Sequence, residues 1–157
     1  MRVDERGMLD PTEIEDAIHP DDMHYAPTSM VAIENTNNPS GGTGLTPEDT
    51  KAIADVVQAH GISLHIDGAR IFNAAVYLET PVKELVKHAD TVSFCLSKGL
   101  ACPAGSILCG SAETIKEARR WRKMLGGGMR QVGVLAAAGV VALETMIERL
   151  AEDHSNA

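Results

Sequence analysis

An acid and an amine follow two apolar runs of this sequence and are the residues best placed to do chemistry. Asp67 comes directly after residues 62–66, and Lys98 comes just after residues 91–96. They are 98 − 67 = 31 positions apart, about the length of a strand–helix–strand unit of ~30 residues. If both runs are parallel strands, both residues emerge at the carboxyl edge of one sheet, where open α/β sheets bind ligands. An amine there can form a Schiff base, and a carboxylate can hold a ring nitrogen protonated.

Taken singly, each of these residues has a plainer interpretation. A lysine between Ser97 and Gly99 is most often a solvated loop residue, and an acid after a strand is most often a turn or cap residue. Strand alternation places His65 on the same face as Asp67, but two ligands do not make a metal site, so we expect no metal. The combination of Asp67 with Lys98 therefore carries the argument, not either residue alone.

A basic segment followed by three glycines is the second chemical candidate. Residues 112–125 hold several lysines and arginines, and Gly126–Gly128 follow them. No Lys-Ser/Thr pair follows these glycines, so the nucleotide-binding fingerprint is absent. The segment is either a solvated face with a flexible break, or a source of cations, Lys123 and Arg130, that reach a phosphate across a subunit interface.

The hydrophobic pattern and the turn-forming residues predict the helices and strands that position these residues. Alternating strands and helices predict an α/β fold with a mostly parallel sheet. Residues 106–110 follow the lysine run after a connection too short for a helical crossover, so we expect that strand to be antiparallel. The predicted strands are 30–33, 62–66, 91–96 and 106–110; the predicted helices are 11–19, 47–60, 71–77, 80–88, 112–125 and 131–153. The first half of the last helix is apolar nearly all round, so we expect it to be buried.

Residues 34–42 form a dense set of turn formers directly after the first predicted strand. They are either a simple connection or a site loop, since they lie at a carboxyl strand end and are more polar than a connection requires. The sequence leaves these two alternatives open.

Composition and charge exclude several classes of protein. The chain has 157 residues, enough for one domain, and its net charge of −8 argues against a general surface for nucleic acid or anionic membranes. No apolar stretch reaches the ~20 residues that span a bilayer, and the charged N-terminus lacks a signal-peptide pattern, so we expect a cytoplasmic protein. The three cysteines are expected to be reduced thiols because their spacing fits neither a zinc site nor a disulfide frame.

Four motifs together resemble a known family, the low-specificity L-threonine aldolases, which are grouped with the aromatic amino acid β-eliminating lyases. The resemblance covers essentially all 157 residues, and the last two motifs are the most specific. It implies the aspartate-aminotransferase fold (fold type I), with residues 1–157 forming part of the large catalytic domain, and pyridoxal 5′-phosphate as cofactor. The motifs are Ile33-Glu34-Asn35-Thr36, residues 65–74 (HIDGARIFNA), residues 95–100 (CLSKGL) and residues 122–131 (RKMLGGGMRQ).

The resemblance also implies a role for each candidate residue. Lys98 forms the Schiff base with the cofactor, and Asp67 pairs with the pyridine nitrogen. Arg70 lies near the cofactor ring and binds the substrate carboxylate, while Ser97 contacts the cofactor phosphate. His24 lies near the substrate hydroxyl, where it or a water takes the proton.

For the basic segment, the resemblance implies that Lys123 and Arg130 reach the phosphate of a neighbouring subunit in a homo-oligomer. The implied reaction is retro-aldol cleavage of the Cα–Cβ bond of L-threonine or L-allo-threonine, which yields glycine and acetaldehyde. Another amino-acid reaction on the same cofactor, such as β-elimination or racemisation, remains an alternative, as does a non-catalytic relative that acts only by association.

The sequence also departs from the family pattern. Nothing in it matches the family's N-terminal segment, with its Gly-Thr phosphate-binding turn and its ring-stacking histidine, or the C-terminal small domain with a further arginine. Asn37 stands where many relatives carry histidine. We therefore expect a fragment that binds cofactor weakly, and that exposes apolar surface and is poorly soluble or associates.

Overall fold

The computed structural model describes all of residues 1–157 and contains one four-stranded sheet flanked by helices. The strand order is β1-β2-β3-β4, with β1–β3 parallel and β4 antiparallel to β3. This confirms the predicted α/β class and the antiparallel last strand. In chain order the elements are α1 (Pro11–Ala17), β1 (Met30–Glu34), α2 (Pro47–Ala59), β2 (Ser63–Asp67), α3 (Ile71–Tyr77), α4 (Val82–Leu85), β3 (Thr91–Cys95), β4 (Ser106–Gly110), α5 (Ala112–Met124), α6 (Gly133–Thr145) and α7 (Leu150–Asn156).

Local capping chemistry explains where the first helices begin. The Asp10 side chain accepts from the Thr12 N–H at the start of α1. Helix α2 starts with a full capping box, in which Thr46 and Asp49 each bond to the other's backbone N–H. Such caps satisfy amide groups that the first helical turn leaves free, and each contributes about 1 kcal/mol.

The strand register brings the carboxyl ends of β1, β2 and β3 to one edge of the sheet. Glu34 at the end of β1 lies opposite Asp67 at the end of β2, and Asp67 lies opposite Ser93 of β3. The residues that follow these strands therefore meet at the same edge, as the crossover spacing predicts.

Two apolar clusters hold the sheet and its helices together. The first packs α1 and α2 against β1 and β2, and the second packs α3 and α4 against the end of β3, the turn after it and one side of α6. Apart from Phe94 and Cys102, the buried members of the clusters are aliphatic, in keeping with the low aromatic content of 3%. Their buried members are Ile14, Ile33, Leu45, Ile53, Ala54, Val57, Leu64 and Ile66 in the first, and Ile71, Ala74, Leu85, Phe94, Leu96, Leu100, Cys102 and Ala142 in the second.

The helical region after α5 differs from the sequence-based expectation in two ways. The long helix predicted over 131–153 is divided into α6 and α7 by a break at residues 146–149, and α7 turns back to pack on α3. Helix α6 is largely exposed, with only Gly139 and Ala142 buried and Val134 73% exposed. An all-apolar helix predicts burial only if partners cover every side, and within this chain one side alone is covered.

Strand β1 also differs from expectation. The short apolar run of residues 30–33 predicts a buried strand, but only Ile33 of its five residues is buried. The strand lies at one edge of the sheet. None of the seven helices combines the length and the apolar character that crossing a bilayer requires.

Candidate active site

Asp67, Arg70 and Lys98 line one cleft at the carboxyl edge of the sheet. The cleft has a volume of about 210 Å³, and its remaining lining residues are Glu34, Thr36, Asn38 and Ala69. The structure thus brings together the acid and the amine singled out by their spacing, and adds a guanidinium. All three side chains are exposed, so they are accessible to a ligand.

The turn after β2 fixes Asp67 and Arg70 in place. Gly68 N–H donates to the Ser93 carbonyl at 2.7 Å, and Ala69 N–H donates to Asp67 Oδ1 at 3.1 Å. A Cβ on Gly68 would lie 3.0 Å from the Ser93 carbonyl oxygen and 2.9 Å from Ile71 Cβ, so the close approach of the turn to β3 requires glycine here. One carboxylate oxygen of Asp67 stays without a hydrogen bond from this turn.

Lys98 lies on a tight turn between two buried leucines. Leu96 is 4% exposed and Leu100 is 3% exposed, and Ala101 N–H donates to the Lys98 carbonyl at 2.8 Å. Ala101 adopts a left-handed conformation with φ of 57°. The backbone of the turn is anchored on both sides, while the exposed Lys98 side chain takes part in no ion pair.

The polar loop after β1 contributes Thr36 and Asn38 to the lining of the cleft. Asn35 is completely buried and ties the loop together: its Nδ2 donates to the Leu45 carbonyl at 3.0 Å, and its Oδ1 accepts from Leu45 N–H at 3.1 Å. Asn37 donates to Glu34 at 3.0 Å and accepts from Ser40 N–H at 3.0 Å. Sequence reasoning left this loop undecided and did not single out its members that line the cleft.

Arg70 also lines a second, larger cleft of about 850 Å³ on its other side. The two clefts share Thr36, Asn38 and Arg70, so the guanidinium stands between them. Arg70 has no acidic partner within ion-pair distance. A free guanidinium presents a planar set of donors that suits a carboxylate or a phosphate.

The other candidate residues lie outside the cleft that holds Lys98. Ser97 is exposed on the Lys98 turn, Lys123 is exposed at the end of α5, and Arg130 is exposed in the segment before α6. His24 lies on the loop between α1 and β1, and its side chain is 78% exposed. The resemblance grouped these four residues with Lys98, and within this single chain they do not converge on it.

His24 is paired with an acid of its own loop. Asp22 Oδ1 accepts from His24 N–H at 2.8 Å and from the imidazole Nδ1 at 2.7 Å. The backbone bond, and then the side-chain bond, lowers the pKa of the Asp22 carboxyl below its ordinary value. Because an ionised carboxylate only accepts, Nδ1 carries the proton in neutral His24, and Nε2 is left as the proton acceptor.

The groups that line the cleft match part of what pyridoxal 5′-phosphate needs. The Lys98 amine fits the aldehyde, the free carboxylate oxygen of Asp67 fits the ring nitrogen, and the unpaired Arg70 guanidinium lies beside them. The volume lies below the range of about 300–1,000 Å³ usual for ligand sites, and no cation other than Lys98 and Arg70 lines the cleft to hold a phosphate. The residues therefore fit the reactive end of the cofactor, and this chain leaves its phosphate end largely uncovered.

The chain is similar in sequence to curated proteins over nearly its whole length. The chain is 48% identical to a low-specificity L-threonine aldolase from Escherichia coli O157:H7, over 96% of this chain and 44% of the relative. It is 47% identical to low-specificity L-threonine aldolase 1 from Arabidopsis thaliana, over 98% of this chain and 44% of the relative. The chain thus spans less than half the length of these curated relatives.

Solved structures show the same fold. A candidate L-allo-threonine aldolase from Listeria monocytogenes is 29% identical, with a TM-score of 0.75 over 81% of this chain and 35% of that one. A threonine aldolase from Leishmania major has the same TM-score of 0.75 at 22% identity, over 91% of this chain and 42% of that one.

The family model described as beta-eliminating lyase matches residues 1–157, the whole of the chain. Together with the acid, guanidinium and amine at the sheet edge, this match shows that the chain belongs to the beta-eliminating lyase family.

Proposed function

We propose that residues 1–157 are part of the large catalytic domain of a pyridoxal-phosphate-dependent carbon–carbon lyase. The substrate is L-threonine or L-allo-threonine, and the products are glycine and acetaldehyde. The observation that carries the proposal is that Asp67, Arg70 and Lys98 line one cleft. The similarity of 47–48% to low-specificity threonine aldolases supports the choice of reaction.

Asp67 and Lys98 are the residues that hold the reactive end of the cofactor in this proposal. The Lys98 amine would provide the covalent link, and Asp67 Oδ2 would accept a hydrogen bond from the protonated ring nitrogen, since Oδ1 is engaged with Ala69 N–H. When bound, the cofactor supplies an electron sink for the pair of electrons released at Cα. The Asp67 carboxylate strengthens that sink because it keeps the ring positively charged.

Arg70 orients the substrate through its carboxylate. The unpaired guanidinium at the wall of the cleft can donate two parallel hydrogen bonds to a carboxylate. This contact would hold the amino acid by its carboxylate and so help to set the direction of the bond between Cα and Cβ that is cleaved. Substrate orientation of this kind is a large part of enzymatic rate enhancement.

His24 is the base in this proposal. Its Nε2 takes the proton of the substrate β-hydroxyl, and the Nδ1 bond to Asp22 stabilises the imidazolium that forms. Ser97, Lys123 and Arg130 hold the cofactor phosphate, the last two across a subunit interface in a homo-oligomer. The exposure of all three and the uncovered phosphate end of the cleft support an assembly of copies.

The experiment that tests this function combines covalent labelling with product analysis. The chain is incubated with pyridoxal 5′-phosphate, reduced with borohydride and digested, and mass spectrometry locates the modified lysine. We expect modification at Lys98 in the parent chain, none at that position in Lys98→Ala, and an unchanged result in Lys83→Ala, whose lysine is exposed on α4 away from the cleft. Modification spread evenly over exposed lysines would reject the proposal.

Product analysis separates the reactions that share this cofactor. With L-threonine and L-allo-threonine we expect glycine and acetaldehyde in equal amounts. Release of ammonia and a keto acid from serine or a β-substituted amino acid, with no glycine formed from threonine, would instead identify β-elimination. Racemisation would appear as a change in optical activity without cleavage.

A second candidate function is association without catalysis, and one observation favours it. Helix α6 presents apolar side chains to solvent, with Val140 55% and Val141 58% exposed. A surface of this kind marks a contact with other protein. Threonine cleavage that depends on Lys98 would reject this second candidate, and association without any labelling of Lys98 would support it.

A further inference from the structure

We propose that Asn73 of α3 is a positioning residue for Lys98, and that the terminal helix α7 holds Asn73 in place. The inference rests on the proposed function, because it concerns the amine that this function uses. Asn73 lies outside the cleft that contains Lys98, and it acts on the turn next to that lysine through Gly99.

The first observation is the close packing of the Lys98 turn on α3 and α7. A Cβ placed on Gly99 would lie 2.5 Å from Asn73 Oδ1 and 3.0 Å from Leu150 Cδ2. Real Cβ atoms do not approach other heavy atoms to 2.5 Å, so a side chain at position 99 would displace Asn73 or lift the turn. Leu150 is 2% exposed and lies below the turn, where the end of its side chain can shift only slightly.

The second observation is that α7 fixes the orientation of Asn73. The amide Nδ2 donates to Asp153 Oδ2 at 3.3 Å, which directs Oδ1 toward Gly99. The Asn73 carbonyl accepts from His154 Nε2 at 3.1 Å, and the His154 ring lies 5.7 Å from the ring of Tyr77 on α3. Three residues of α7 therefore contact α3 or the Lys98 turn, and two of them bind Asn73 directly.

Besides the contact with Asn73, two other features hold the turn that carries Lys98. Buried Leu96 and Leu100 anchor the two ends, and the bond from Ala101 N–H to the Lys98 carbonyl sets its curvature. Neither feature sets how far the middle of the turn projects into the cleft. The contact of Gly99 with the Asn73 amide sets that depth, and hence the position of the Lys98 Nζ relative to Asp67 and Arg70.

The first arm of the test measures the turn without any cofactor. Hydrogen–deuterium exchange is followed at the amides of residues 98–102 in the parent chain, in Asn73→Ala and in Asn156→Ala. Asn156 is an exposed asparagine at the end of α7, so it serves as the control. We expect exchange in the turn to be about 10-fold faster in Asn73→Ala, as for a local opening, with β2 and β3 unchanged. Equal exchange in all three chains would overturn the inference.

The second arm measures the rate at which pyridoxal 5′-phosphate modifies Lys98, trapped with borohydride. Misplacement by about 1 Å can cost about 100-fold in a positioned reaction, so we expect Gly99→Ala to slow modification at saturating reagent by roughly 10- to 100-fold. The half-saturating concentration should change little, because the residues that bind the reagent are untouched. If the slower modification came only from unfolding, the circular dichroism of Gly99→Ala would fall as well, and the inference would be overturned.

A double variant makes the argument specific to Asn73. In Gly99→Ala/Asn73→Ala the atom nearest the new methyl group is gone, and only the flexible end of Leu150 must shift by a few tenths of an ångström. We expect the double variant to modify Lys98 faster than Gly99→Ala alone. If it is equally slow or slower, Asn73 does not set the depth of the turn and the inference is wrong.

The two arms separate this inference from the proposed function. If the parent chain shows no preference for Lys98 over Lys83, the proposed function fails, and with it the claim that Asn73 positions an amine for this cofactor. If Lys98 is modified normally in Gly99→Ala, and exchange in the turn is unchanged in Asn73→Ala, the proposed function stands and the role of Asn73 fails.

Discussion

Asn35 offers the sharpest test of how the candidate site is built, because its side chain is fully buried and has a defined task. It donates to and accepts from the backbone of Leu45, and so closes the loop whose members Thr36 and Asn38 line the cleft. Asn35→Ala removes both bonds and leaves the N–H and C=O of buried Leu45 without partners. Each buried unsatisfied group costs about 1–3 kcal/mol.

The expected loss is therefore about 2–4 kcal/mol in the free energy of unfolding, since the loop can relax and admit water to one of the two groups. This is a large share of the roughly 5–15 kcal/mol that stabilises a typical domain. Urea unfolding followed by circular dichroism measures it: with an m-value of about 1–3 kcal/mol per molar, the midpoint should fall by roughly 1–2 M.

Asn38→Ala is the matched control, because Asn38 is an asparagine of the same loop that is exposed. We expect a change within about 0.5 kcal/mol, as for other surface substitutions. If Asn35→Ala and Asn38→Ala unfold at the same urea concentration, the loop is not held by the Asn35 amide and the reasoning fails.

Asn35→Asp adds a dependence on pH to the same argument. The new carboxylate would face the Leu45 carbonyl in a buried position, and burial raises the pKa of a carboxyl group. Because the folded pKa would lie above the unfolded pKa, the penalty is full at neutral pH and shrinks as the pH falls and the group is protonated. The variant should therefore come closer to the parent chain in acid, and a gap that widens in acid would contradict burial of this side chain.

Three further predictions concern other parts of the chain. Gly68→Ala places a methyl group 3.0 Å from a strand carbonyl, so urea unfolding should show a loss of about 1–3 kcal/mol. Burial raises the pKa of the Asp49 carboxyl, but hydrogen bonds from Thr46 and then Arg6 outweigh burial and lower the pKa. The ionised carboxylate therefore stabilises the fold at a pH above its ordinary pKa of 3.8, and this stabilisation is lost on acidification. Arg6→Ala should therefore flatten the acid dependence of the urea midpoint. Val141→Ser should reduce self-association in light scattering, and a chain that is already monomeric would refute an interface on α6.

The parts of the fold that the sequence predicts are those governed by local chemistry. The capping box at Thr46 and Asp49 lies within four residues, so the start of α2 can be read directly. The meeting of Asp67 and Lys98 is not local, but it follows from a rule of topology: successive parallel strands end at the same edge. Both predictions are confirmed for this reason.

The parts that could not be predicted depend on contacts between distant segments or on what covers a surface. The helical pattern of the sequence continues across residues 146–149, so no local signal marks the break before α7. The break depends on distant contacts, because Asp153 binds Asn73 of α3 and Leu150 packs below the Lys98 turn. The exposure of α6 has a different cause. Its apolar composition indicates a preference for burial, but the other segments of these 157 residues cover only one of its sides.

The candidate site divides its residues into two kinds, and the division explains why its construction is hard to read from sequence. Lys98 and Arg70, to which we assign the chemistry, take part in no ion pair. Neighbouring residues make the hydrogen bonds and the close contacts instead. They are Asn35 in the loop after β1, Gly68 in the turn after β2, and Gly99 in the Lys98 turn. Free chemical groups on a fixed backbone are what a preorganised site requires, because the groups stay reactive while their positions are set. Substitution of a supporting residue should therefore impair this site as surely as substitution of a residue that touches the ligand.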